Sequence, residues 1–472
     1  MKRICWFLVL TGCLLAAAAG AQERNMARLT LSDTTYVDVA MGLRGKAGVF
    51  KDLYAPETRL QGVLDATSQR RLDRVHLYGH FGYGYDYGRG STWRGWIDPY
   101  ETPFMVADSI PGALSLERYS LEAGLGLPVG NWAFGLDLAY DVALMAKHKD
   151  LRNKNTGMNF RVAPGLYWNG GRFGAGLDLG YERNTEKVEY TQISESVEQL
   201  LFDVYGLWIC RGSGYASAET RRMKEGDHFF ADFQTDLTLG EVSLHNNFRG
   251  GFLRSVQTEV GYNNLRHGDV RSLTWIDDLL LQIGSRNRVE AGFVFSTMQG
   301  FRPLQRPELD PDSRIRTWVT YGNPVFCYWR RYHVERLRYT FGATWQLSFG
   351  IENWGMEHAY TEYPQRFVQR LSTVTPSIGL LLPLGPSWVL TSSLGFAKAY
   401  DALCEVSAWQ LADPLSRQWS YWNSDRLMGE AGLRWTSASG GNYVQAGYGI
   451  EAAIPADLGV RHRASVTVGF VF

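Results

Sequence analysis

The chain has 472 residues, and its 48 Lys plus Arg balance 48 Asp plus Glu. That excludes the basic excess a nucleic-acid partner needs, while the length admits several soluble domains or one large barrel. Aromatic residues reach 14%, with 25 Tyr, 23 Phe and 16 Trp, as two interfacial girdles require, and the mean hydropathy of -0.23 does not exclude a membrane barrel, in which only alternate residues face lipid.

Lys2 and Arg3 precede an apolar stretch, Ile4 to Leu15, too short to span a bilayer, which takes roughly 20 residues. Ala19-Gly20-Ala21 has the form of a cleavage site, so residues 1–21 read as a signal peptide and the mature chain begins at Gln22. Leu10-Thr11-Gly12-Cys13 resembles a bacterial lipobox and would instead place a lipid on Cys13; both readings export the chain. Residues 22–71 read as a periplasmic lead-in. Within them Arg59 to Arg71, apolar at Leu60, Val63 and Leu64, is spaced like a short helix. The alternative is a segment tucked into the lumen as a plug.

From residue 72 to 472 alternation recurs in segments of membrane-spanning length, about 9 to 11 residues. Tyr119, Leu121, Ala123, Leu125 and Leu127 share one face; Trp132, Phe134, Leu136, Leu138, Tyr140, Val142 and Leu144 share another. Leu337 to Phe349 repeats the pattern, as do Val75 to Tyr87, Phe173 to Tyr181, Phe229 to Leu239, Trp388 to Phe396 and Val444 to Ile454. Val242 to Gly284 and Asp312 to Arg336 are weak. Tight turns at Pro128–Asn131, Asn169–Gly171, Pro383–Pro386 and Ser439–Asn442 alternate with long connections at Gly88–Ala113, Thr191–Gly226, Phe301–Asp312, Ile351–Pro364 and Ala402–Ser424. Short periplasmic turns and long outer loops are the barrel habit. The pattern predicts an all-β, transmembrane, antiparallel up-and-down β-barrel of about 16 strands, within 14–16, an even number.

The last strand alternates to the final residue: Val466, Val468, Phe470 and Phe472 lie on one face. A free edge there would be sticky, whereas a barrel closes it against the first strand. This tail resembles the assembly signal of outer-membrane proteins, which implies reading by the barrel-assembly machinery. With the leader and the strand pattern, the chain resembles uncharacterised outer-membrane barrels of Bacteroidota and, more loosely, porins and transporters. The resemblance implies a Gram-negative outer membrane, with its lipid and lipopolysaccharide as surroundings and nutrient-uptake proteins as possible partners. It carries over no functional residue.

Candidate lumen-lining residues are His76, His80, Arg118, Glu122, Asp137, Asp141, Arg161, Asp178, Arg338, Glu430, Arg434 and Glu451. A one-sign ring would predict ion selectivity; this mixed set predicts weak selectivity or pairing across a narrow lumen. His76 and His80 could together bind a metal or titrate, against the plainer reading of a polar lining. Asp227-His228, at a loop–strand junction, reads as a loop salt bridge. Trp93, Trp96, Trp354, Trp409, Trp419 and Trp422 are candidate surface-loop contacts, able to stack on sugars or hold an apolar ligand; the alternative is a core of loops folded over one another. Cys210, Cys327 and Cys404 follow no disulfide or zinc spacing.

No nucleophile–base motif or phosphate loop is present, so neither an enzyme nor a cofactor is expected. The sequence supports a passive pore or small-molecule channel, with a closed barrel acting as a surface-binding or structural module as the alternative. No energy-coupling box is evident, so energy-coupled import by this chain alone is not expected.

Overall fold

The computed structural model describes residues 25–193, 200–206, 208, 220–261, 265–309, 316–342, 344–361, 367–405 and 411–472. The expected signal peptide and lipobox, together with Trp409 and Cys210, lie outside the described residues. The strands run in chain order β1 (Tyr36–Gly48), β2 (Thr58–Leu72), β3 (Val75–Ser91), β4 (Phe104–Asp108), β5 (Gly112–Val129), β6 (Trp132–Lys147), β7 (Arg152–Asn169), β8 (Phe173–Thr191), β9 (Leu201–Tyr205), β10 (Arg221–Leu239) and β11 (Val242–Glu259). They continue with β12 (Arg266–Ile283), β13 (Asn287–Phe301), β14 (Leu304–Leu309), β15 (Arg316–Gly322), β16 (Val325–Phe341), β17 (Gln346–Tyr360), β18 (Phe367–Pro383), β19 (Trp388–Glu405), β20 (Asp425–Thr436), β21 (Asn442–Ile454) and β22 (Val460–Val471).

Eighteen strands form one antiparallel sheet closed by β22 on β1. Among the described residues, the strand pair β4–β9 and the hairpin β14–β15 lie outside it. Closure pairs every edge, so the backbone polar groups are satisfied without water. Along each strand the side chains alternate. Leu121, Leu125, Phe134 and Leu136 stand exposed on the outer face, as do Trp275, Phe349 and Leu394, which is the surface a hydrocarbon solvent demands. The tight turns lie at the end that holds Tyr36 and Phe472; Gly130, at φ 62, and Gly240, at φ 60, take a left-handed conformation there that side chains resist.

The barrel has 18 strands, not 14–16, and it begins at Tyr36 rather than residue 72. Beyond Leu72 it contains the expected 16; the two further strands are β1 and β2. Arg59 to Arg71 is strand, not helix. Its lipid face carries Leu60, Gly62, Leu64, Ala66 and Ser68 while Val63 points inward. Small residues outside and an apolar one inside therefore imitate helical spacing. Val242 to Gly284 is the β11–β12 pair, with its alternation blurred by Asn246 and Asp277, which pair on the outer face at 2.7 Å. The weak stretch after Asp312 contains β15 and β16, the latter bulged between Val334 and Leu337. Ile351 to Tyr360 belongs to β17 rather than to a loop.

Candidate functional site

Three layers fill the barrel axis: a cap of folded-in loops at the outer mouth, a polar inner wall, and an N-terminal turn near the opposite end. The cap starts with the β3–β5 connection, which carries β4, buried at all five residues. β4 pairs with β9 from the β8–β10 connection. The helix Ala412–Trp422 packs beside them, burying Pro414, Leu415, Gln418 and Trp422 on one face. Asp413 in its first turn suits the positive end of the helix dipole.

These elements share one apolar core that includes Leu53, Trp93, Trp96, Val106, Leu201, Val204, Trp208 and Leu415 together with Val188 and Tyr190 of β8. A second cluster joins Phe104 to Val270, Phe326, Trp329 and Tyr360 of the far wall. A third joins Trp422 to Met356 and Leu371. The Tyr421 ring lies tilted against Phe50 at 5.0 Å, and Arg426 of β20 lies over both rings. The core thus meets the wall around the mouth. Each large apolar side chain buried contributes about 1.5–3 kcal/mol, so the cap holds together without a ligand.

Polar contacts fix its position. Trp96 Nε1 donates to the Phe104 carbonyl at 2.9 Å, and Trp208 Nε1 to Gln418 Oε1 at 2.9 Å. The Ile97 amide donates to Glu186 Oε1 at 2.7 Å. Lys224 of β10 bridges Glu101 of the cap, at 2.5 Å, and Glu186 of β8, at 3.2 Å. Arg222 pairs with Asp203 and, at 3.2 Å, with Glu259; Lys147 pairs with Asp108. Burial pushes the Glu101 and Asp108 carboxyls above their ordinary range against the pull of those lysines. A cavity of about 40 Å³ lies among Tyr54, Tyr100, Trp329 and Trp422.

All the expected lumen residues face inward, and the ion pairs they form run along the wall rather than across it. Arg161 of β7 meets Asp137 of β6 at 2.8 Å and Glu122 of β5 at 3.0 Å. Asp141 accepts from Ser120 at 2.5 Å. Arg118 lies 3.5 Å from Asp86, which Arg59 also holds at 2.7 Å. Glu451 takes Arg426 at 3.0 Å and Arg463 at 2.9 Å, with Glu430 3.7 Å from Arg463. Asp178 stands opposite Asp232, which Arg249 neutralises. Arg434 covers the Tyr443 ring at 4.2 Å, and Arg338 sits opposite Gly350. Neighbouring strands lie about 5 Å apart, much closer than opposite walls, so lateral pairing wins. His80 meets Asp65 at 3.0 Å and His76 is buried. No metal-holding group of three or more His, Cys, Asp or Glu occurs among the described residues. Asp227 and His228 are inside β10 on opposite faces, the first with Arg183 at 3.0 Å, the second 3.7 Å from Glu182.

The five described tryptophans of the expected set are packed, as in the alternative of loops folded over one another; Trp409 lies outside the described residues. Trp93 and Trp96 are in the cap core, 5% and 0% exposed. Trp422 is buried, Trp419 packs partly beneath it, and Trp354 is an inward residue of β17, not a loop residue. At the tail, Val466 is exposed on the outer face, and Phe472 exchanges backbone hydrogen bonds with Val37 at 3.1 and 2.9 Å.

The sequence reading offered a lumenal segment within residues 22–71 as its alternative but singled out no residue of the inner turn. Met26–Leu31 forms a 3-10 turn capped by Asn25, whose Oδ1 accepts from the Ala27 amide at 2.9 Å. It lies on the inward glycines of β5 and β6. A Cβ at Gly135 would overlap the Ala27 nitrogen, and one at Gly126 would come 2.7 Å from the Met26 carbonyl oxygen. Arg28 grips Asp236 through two nitrogens at 3.0 and 3.2 Å. Tyr167 donates to the same carboxylate at 2.8 Å and His245 lies 2.8 Å from it.

A closed antiparallel sheet with an apolar exterior and a charged interior defines a transmembrane β-barrel of the outer-membrane type. The chain belongs to a family of unknown function (DUF6850), whose model matches residues 26–472. No curated protein matches it. Among solved structures it is similar to the FrpB iron transporter from Neisseria meningitidis (8% identity, TM-score 0.45, covering 95% of this chain and 83% of that one). It is also similar to the copper transporter OprC (7%, 0.43, 92% and 81%) and to the outer membrane transporter YddB from Escherichia coli (7%, 0.42, 92% and 81%). Identities this low transfer no functional residue.

Proposed function

We propose that this chain is an outer-membrane barrel closed at its outer mouth, serving as a surface-binding or structural module rather than as a passive pore. The supporting observation is the set of three apolar clusters that ties four connections to the wall. Its outward surface, not its buried tryptophans, is the contact surface in this reading. Assembly through the barrel machinery, which would read the β22 tail, and residence in a Gram-negative outer membrane belong to the same proposal. In planar bilayers the full chain is expected to give no steady conductance, and deletion of Trp93–Asp108 to open a lasting one. Steady conductance from the full chain overturns the reading.

A transport reading is favoured by one feature. The inner wall of β19–β22 and β1 is lined by small and polar residues, among them Thr391, Ser393, Gly432, Gly447 and Ser465, around a cleft of about 400 Å³. A small polar solute would fit there if cap and inner turn both moved aside. Solute-dependent opening of the full chain in the same bilayers would support this second reading.

A further inference from the structure

The lipid-facing surface is not uniform at the seam where the barrel closes. Four rows of outward side chains cross β21, β22, β1, β2 and β3. The uppermost is Ile450, His462, Ala47, Thr58 and Arg89; below it come Tyr448, Ala464, Gly45, Leu60 and Tyr87. The third is Ala446, Val466, Leu43, Gly62 and Tyr85, and the fourth Val444, Val468, Met41, Leu64 and Tyr83. Small residues step diagonally through the upper three rows, Ala47, then Gly45 and Ala464, then Gly62 one strand over beside Leu43, with large side chains flanking the lower two steps. The surface is hollowed into two successive clefts of about 470 and about 520 Å³. At Gly45 a Cβ would meet nothing within 4 Å, and at Gly62 only a Leu43 methyl at 3.9 Å.

The groove changes character along its length. The lower cleft is walled by Met41, Leu43, Leu64, Val466 and Val468 with two tyrosine rings. The upper one ends at Arg89 and His462. Arg89 is exposed, lies 5.9 Å over the Tyr87 ring and has no acidic partner among the described residues. His462 Nδ1 is 2.7 Å from the Tyr448 hydroxyl. The nearby outward acid Glu117 is one strand beyond the tyrosine wall and is bonded to Tyr119. The depth fits one leaflet. From Ala47 to Met41 the strand runs about 20 Å at about 3.3 Å per residue, and a tilt of about 40° makes that about 15 Å, half of a ~30 Å hydrocarbon core.

The geometry points to a lipid site: the groove along Ala47, Gly45, Ala464 and Gly62 holds an acyl chain of an outer-leaflet lipid whose anionic phosphate headgroup meets Arg89 and His462. Apolar walls supply van der Waals contact to a hydrocarbon chain held in the groove, and the cation at the outer rim complements a phosphate. The inference rests on the membrane-barrel reading but not on whether the lumen conducts.

The test is native mass spectrometry of the chain extracted from outer membranes in mild detergent, followed by titration of delipidated chain with micellar bisphosphorylated lipid A, its dephosphorylated form and inorganic phosphate. One bound lipid A per chain is expected. Gly45→Leu and Gly62→Leu, which fill the groove where space is open, should weaken binding about tenfold by removing its packing contacts. Arg89→Gln should remove the preference for the phosphorylated form. Retained heat-modifiable migration shows that a variant has folded; should either fail, Ala464→Phe fills the same groove. Undiminished lipid binding by folded, filled variants overturns the site, as does competition by inorganic phosphate alone or capture of a protein in place of lipid. A wild-type chain that lacks heat-modifiable migration contradicts the barrel itself, a separate failure.

Discussion

Asp236 receives Arg28, Tyr167 and His245 at one point of the inner wall, and the N-terminal turn is held through the first of these. Charged hydrogen bonds contribute about 1.5–3 kcal/mol each. Asp236→Asn should therefore loosen the turn without unfolding the barrel. With Ala27→Cys as reporter, maleimide labelling in detergent should rise at least several-fold over the parent; unchanged labelling would show that the turn does not depend on the ion pair. Lys51, in the β1–β2 connection outside the membrane, offers a pH readout. Burial first, then Arg417, lower its ammonium to about 8. A base depressed in the fold binds fewer protons there than in the opened loop, so loop stability rises as pH climbs from about 8 towards 10. Protection of this loop from protease should increase over that window in the parent and stay flat in Lys51→Met.

At the scale of elements, β5 and β6 were legible because Leu121, Leu125, Phe134 and Leu136 alternate without exception, and period-two order is a local property of the chain. β2 was not, because Gly62 and Ala66 take lipid-facing positions while Val63 takes a lumenal one. The cap was legible only as long connections rich in tryptophan. Its inward folding depends on contacts such as Trp208 to Gln418, 210 residues apart, which no local pattern encodes. The glycine bed under the N-terminal turn reads as ordinary lumen glycine until the turn is seen to occupy it. Its role predicts that Gly135→Val, whose Cβ meets the Ala27 backbone, expels the turn and raises Ala27→Cys labelling as Asp236→Asn does, while Gly130→Ala, at an open turn, does not. Equal labelling in the two glycine variants would show that the bed does not seat the turn.

For the whole molecule, the period-two pattern gave the barrel class and the twelve inward charges and histidines, while size, entry point and the inward-folded loops required the three-dimensional arrangement. The strand number follows from where the cylinder shuts. A barrel beginning at Val75 would pair β22 with β3, whereas the 18-stranded one pairs it with β1. The most direct measurement is cysteine cross-linking in outer membranes. Met41→Cys with Val468→Cys joins direct partners across the seam and should give an intramolecular disulfide in nearly every folded chain. Phe81→Cys with Val468→Cys should give none; the reverse outcome would mean that the first two strands are not part of the wall.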